Sequence, residues 1–155
     1  MPYHFYKAVL DCHITGKIPF LPTTGIKKGG LDPSQRNSFG GATMTAVAAT
    51  GRALSESDKT GRGQCLTGDQ EYAEDYATTD NHRLIRITLN DVDLAKLVQR
   101  TDLMTPFASM QDAVAASECS AIVTIAPGCI EYLADNGTWQ AISTYPNPEP
   151  KAFGD

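Results

Sequence analysis

A carboxylate at the mouth of an apolar strand is the first feature with chemical potential. Glu118 opens the segment ECSAIVTIAPGCIEYL, residues 118–133. Facing a cleft, it would hold a hydroxyl or stabilise developing positive charge; facing solvent, it would do nothing. The segment GRGQCLTGDQEYAEDYA, residues 61–77, sets Tyr72 and Tyr76 four apart. On a helix they share a face, where two rings can flank a planar ligand or simply pack on a sheet. Near the N-terminus, His4 and Lys7 stand three apart in a β-favouring stretch, so they point to opposite sides and only one can line a given site. A third possibility, His4, His13 or His82 with Lys7, has the residue types for metal-independent general acid–base cleavage of RNA. The stereotyped signatures are missing: no GxxxxGK[ST], GxGxxG, GxSxG, HExxH or EF-hand loop occurs.

These residues need a scaffold, and the breakers show where it lies. Tyr3 to Leu10 reads as a strand. Residues 15–63 carry so many Gly, Pro, Thr and Ser that regular structure cannot run far; only Ala42 to Leu54 has a helical pattern, and a loop region of this length predicts function. Gln64 to Thr67 predicts a short strand, followed by a helix over Gln70 to Ala77 with Asp69 as its N-cap. Leu84 to Leu89 is the most β-like run, interrupted by Arg83 and Arg86. A helix is expected over Val92 to Arg100, a weak one over Met110 to Ala116, and a strand over Cys119 to Ile125. A turn or strand follows over Gly128 to Leu133, and Asn136-Gly137 signals a hairpin returning through Thr138 to Ser143. The irregular connections predict an α+β domain with mostly antiparallel strands over residues 1–145, and a Pro-rich tail over 146–155.

Composition bounds the partners. The 155 residues are 41% apolar and 20% charged, which fits one loop-rich globular domain with its own core. Thirteen Lys and Arg against 18 Asp and Glu give a net charge of −5, so the footprint of a general nucleic-acid binder is absent. No apolar stretch is long enough to span a membrane, and MPYHFYKAVLD lacks the pattern of a signal peptide, so the chain reads as soluble, either cytoplasmic or excised from something longer. Cys12, Cys65, Cys119 and Cys129 have no CxxC spacing and only three histidines beside them, which predicts buried thiols and no metal site.

Taken in order, three segments resemble the mono-ADP-ribosyltransferase superfamily, most closely its compact bacterial polymorphic and effector toxin domains. FYKAV resembles the first core strand, GQCLTGDQEYAEDYA the strand–helix second motif, and ECSAIVTIAPGCIEYL the third, where a catalytic Glu precedes a strand and a Pro-containing turn. IKKGGLDPS resembles the loop ahead of the nicotinamide pocket. The resemblance implies a split β-sandwich of two small, mostly antiparallel sheets flanked by short helices, with NAD as substrate and no metal. It implies Glu118 as the catalytic residue, Thr67 as the polar residue after the strand, Tyr76 as the tyrosine packed on the nicotinamide ring and Tyr72 as its neighbour. Two registers compete for the NAD-ribose contact, Tyr3-His4 and Tyr6-Lys7, and FYKAV favours Lys7. Cys65 replaces a second stacking aromatic, Lys7 would be a point charge where the family has a planar Arg, and Ala116 stands where arginine-modifying members have Gln or Glu. The function implied is an ADP-ribosyltransferase toxin that is secreted by a dedicated export system, modifies a protein or RNA target in the cytoplasm of a rival or host cell, and is paired with a cognate immunity protein. An NAD glycohydrolase, the RNase reading and a catalytically dead binding domain of the same fold are the alternatives.

Overall fold

The computed structural model describes residues 2–16, 25–32, 64–78, 81–99 and 105–146. The expected Ala42–Leu54 helix and the tail beyond Pro146 lie outside the described residues. The described part is α+β, with two small antiparallel sheets and a few short helices.

The four-stranded sheet has the order β1 (Tyr3–Leu10), β3 (His82–Leu89), β6 (Ile130–Leu133), β7 (Trp139–Ala141). β1 and β3 pair along their full lengths, from Tyr3 opposite Leu89 to Leu10 opposite His82. Arg83 and Arg86 do not break β3, because Arg86 reaches a partner across the strands: its guanidinium donates to Glu131 on β6 at 2.8 Å and stacks over Trp139 on β7 at 4.5 Å. Asn136-Gly137 makes the expected hairpin between β6 and β7, with Gly137 at φ +84. The three-stranded sheet has the order β2 (Gln64–Leu66), β5 (Cys119–Ala121), β4 (Leu97–Gln99). A single backbone pair joins β1 to β2: Tyr6 N–H donates to Thr67 O at 2.7 Å, and Thr67 N–H to Tyr6 O at 3.1 Å.

Strand parity sets the core. Phe5 and Val9 of β1, Ile85 and Ile87 of β3 and Ile130 of β6 meet Leu66, Leu97, Cys119 and Ala121 of the smaller sheet in one buried cluster. The four cysteines are free thiols, but of the expected buried set only Cys119 is buried; Cys12, Cys65 and Cys129 are partly exposed.

Three expected elements come out differently. Over Val92 to Arg100 the chain forms a 3-10 helix, Asp91–Lys96, and then β4; the apolar spacing that suggested a helix is instead Leu97 and Val98 buried on the two faces of a strand hydrogen-bonded to β5. The strand beginning at Cys119 stops at Ala121, since Ile125 turns away to pair with Leu31. The helix after Asp69 ends at Glu74 rather than Ala77, its last turn tightening through Tyr76 N–H to Ala73 O and Ala77 N–H to Glu74 O. Within the breaker-rich region, Ile26–Gly29 makes one helical turn. It ends at Gly30, φ +73, whose Cβ, if it had one, would lie 2.0 Å from Ile125 O. Only glycine fits there.

Candidate functional site

The site lies at the fork between the two sheets. Leu66 of β2 is opposite Cys119 of β5, the last pair of that ladder, and Thr67 and Glu118 are the residues that adjoin it on either segment. Thr67 is in turn opposite Tyr6. Neighbours across strands send their side chains to one side, so Tyr6 and Thr67 lie together on the side away from the inter-sheet core. His4, two residues from Tyr6, falls on that same side, its Nδ1 3.1 Å from Thr88 Oγ1.

The turn after β2 is built around this pair. Thr67, buried, accepts the Asp69 N–H on its hydroxyl at 3.1 Å, and Asp69 then caps the helix Gln70–Glu74 by accepting Glu71 N–H at 3.0 Å and Tyr72 N–H at 3.3 Å. Gly68 lies against the helix Met110–Ala115: a Cβ there would be 2.1 Å from Val114 O. This close approach fixes where the capped helix starts, and hence where its tyrosines fall.

Tyr72 reaches Glu118. Its hydroxyl donates to Glu118 Oε1 at 2.7 Å and lies 3.2 Å from the hydroxyl of Tyr76, with the two rings 5.5 Å apart. The Tyr76 hydroxyl and the Glu118 carboxylate together hold the Tyr72 phenol well above the usual tyrosine range, the Tyr76 contact being the larger cause. Tyr76 is 41% exposed, at the rim.

Of the residues singled out in the sequence, Glu118, Thr67, Tyr72 and Tyr76 are therefore gathered at one place, with His4 on the same side of β1. Lys7 is not on that side. It belongs with Phe5 and Val9, is only 6% exposed, and its ammonium donates to Cys65 O at 2.7 Å, spanning the gap where β1 and β2 diverge. Glu131 is tied to Arg86 on the four-stranded sheet.

The acid–base set is divided. His4 and His82 belong to opposite ends of the β1–β3 pair, at the registers of Thr88 and Leu10, six residues or ~20 Å apart along the strands. His13 is near Lys7 and His82, but burial first, then those two charges, lower it to about 4. An imidazole so depressed is a poor base near neutral pH. Ser120, fully buried on β5 two residues from Glu118, is a site-adjacent group that composition gave no reason to single out. Among the described residues no cluster of His, Cys, Asp or Glu is arranged to hold a metal ion, and no helix is long and apolar enough to cross a membrane. No family model, no curated protein and no solved structure matches this chain.

Proposed function

We propose that the protein cleaves NAD and transfers the ADP-ribose to an acceptor, as a mono-ADP-ribosyltransferase of the effector-toxin type. The observation that carries this reading is the hydrogen bond of the Tyr72 hydroxyl to the Glu118 carboxylate just ahead of β5, beside the Tyr6–Thr67 bridge that follows β2. The three segments that resemble the superfamily in sequence supply these residues in the expected order, and the two small antiparallel sheets suit the resemblance.

In this reading Glu118 accepts a hydrogen bond from a hydroxyl of the nicotinamide ribose and stabilises the positive charge that grows on the ring as the bond from ribose C1′ to the nicotinamide nitrogen breaks. The nitrogen keeps the bonding electrons and leaves as neutral nicotinamide. The acceptor attacks C1′, forming the new bond to the ribose, and its proton passes to solvent. Thr67 shapes the turn beside the carboxylate, and Tyr72 and Tyr76 form the wall on the helix side. Strand parity favours His4 over Lys7 as the ribose contact, because His4 shares the side of Thr67 and Glu118 while Lys7 is buried on the other. Ala116, two residues before Glu118, offers no polar group to orient a guanidinium, which favours an acceptor other than arginine. Delivery into a rival or host cell, and neutralisation by an immunity partner, follow from the resemblance alone.

The test is incubation with NAD labelled in the adenylate half, together with cell lysate. Label entering protein or RNA supports transfer, nicotinamide release without transfer assigns a glycohydrolase, and intact NAD refutes the reading.

A further inference from the structure

The proposed reading gives the helix tyrosines a role through their rings, on nicotinamide. The hydrogen bonds point to their hydroxyls. We infer that Tyr72 is a positioning residue for Glu118: its hydroxyl clamps one carboxylate oxygen, and Tyr76 braces that hydroxyl from the solvent side. The inference rests on the reading of Glu118 as the catalytic carboxylate, but the clamp itself is a physical arrangement that can be measured without turnover.

The geometry supports it at each link. A phenol donating to a carboxylate at 2.7 Å is a short, charge-assisted hydrogen bond, of the kind that fixes a side chain rather than merely touching it. The donor is itself held. Tyr72 N–H is bound by the Asp69 cap, Asp69 N–H by Thr67, and Gly68 is pressed on the backbone of Val114, so the helix cannot shift without breaking the turn. Tyr76, one helical turn on, is 3.2 Å from Tyr72 Oη and half-exposed. The chain Tyr76–Tyr72–Glu118 thus runs from the surface to the carboxylate, and the spacing of four residues that could have built a ring clamp instead aligns two hydroxyls. A glutamate has three side-chain torsions, and the clamp ties one of its carboxylate oxygens to a helix that is itself held in place.

Two measurements on the intact chain decide it. The first follows phenol ionisation by ultraviolet absorbance across alkaline pH. In the wild type the Tyr72 phenol should ionise late; Glu118→Gln and Tyr76→Phe should each bring that step down towards the ordinary range, and Tyr72→Phe should remove it. Tyr3, also raised, by burial first and then by Asp91, should not move in any of these variants. The second is steady-state nicotinamide release from NAD. Tyr72→Phe should lower kcat about tenfold with KM for NAD within twofold, while Tyr76→Phe should lower kcat two- to threefold. A role through the rings would leave both phenylalanine variants close to wild type. If the late step stays where it is in Glu118→Gln, with no downward shift at all, or if Tyr72→Phe turns over at the wild-type rate, the clamp is wrong. A wild type that releases no nicotinamide refutes the NAD reading, and the titration still decides the clamp.

Discussion

Acidification should destabilise this protein through one histidine. His13, in the helix Asp11–Thr15 that follows β1, has a buried Nδ1 with no hydrogen-bond partner among the described residues, and it packs near the Lys7 ammonium and His82. Burial and these charges lower it from 6.5 to about 4. Its folded value is below its unfolded one, so between these values the unfolded chain binds a proton that the native one does not, and stability rises with pH across that window. At 1.36 kcal/mol per unit the full effect is about 3 kcal/mol, and about 2 kcal/mol of it should be lost on going from pH 7 to pH 4.5. Asp11, raised by burial, acts with the opposite sign near the lower end, and does so equally in any variant that spares it. The assay is urea unfolding of the wild type and His13→Leu at half-unit steps between pH 7 and 4.5. The wild type should lose stability steadily; the variant should be nearly flat and the more stable of the two at pH 4.5. Parallel slopes in the two proteins would show that His13 is not the buried, proton-excluding group the packing implies.

Gly68→Ala should cost about 3 kcal/mol, read as a lowered Tm, because its Cβ would meet the backbone of Val114 rather than a side chain that can swing aside; an unchanged Tm would mean that the turn has slack. His4→Ala should reduce NAD turnover by tenfold or more at unchanged Tm, whereas Lys7→Ala should lower Tm first, through a lost bond to Cys65 O inside the core, and Lys7→Met should recover part of that stability. The reverse pattern would return the ribose contact to Lys7.

The elements legible in the sequence are those whose causes are local. Asp69 announces its cap because a carboxylate two and three residues ahead of free N–H groups needs nothing else, and Asn136-Gly137 announces its hairpin because the turn requires a residue at positive φ. β1 and β3 were equally readable from their β-favouring residues. What failed depended on partners distant in the chain. Leu97 and Val98 fit a helical period until β5 takes their backbone, and Ile125 continues a strand until Leu31 draws it away. The site shows the same division. Glu118, Thr67, Tyr72 and Tyr76 were readable as residue types in an order, and the opposed faces of His4 and Lys7 followed from the period of a strand. Which of those two faces carries Glu118 was not readable, because it is set by the single Tyr6–Thr67 pair between strands some 60 residues apart. FYKAV favoured Lys7; the pairing favours His4. Gly68 was readable as a turn residue but not as an obligatory glycine, since that necessity arises from Val114, 46 residues away.

The role proposed for Glu118, as the carboxylate of an NAD-cleaving site, is tested by nicotinamide release from NAD by the wild type and by Glu118→Ala, with a melting curve for each. Removing this half-buried carboxylate just ahead of β5 opens no core cavity, so the variant should stay folded with a Tm lowered only by the lost hydrogen bond from Tyr72. Loss of a transition-state contact of about 3 kcal/mol should lower turnover on the order of a hundredfold. A folded Glu118→Ala protein that keeps a tenth or more of wild-type turnover would contradict the account.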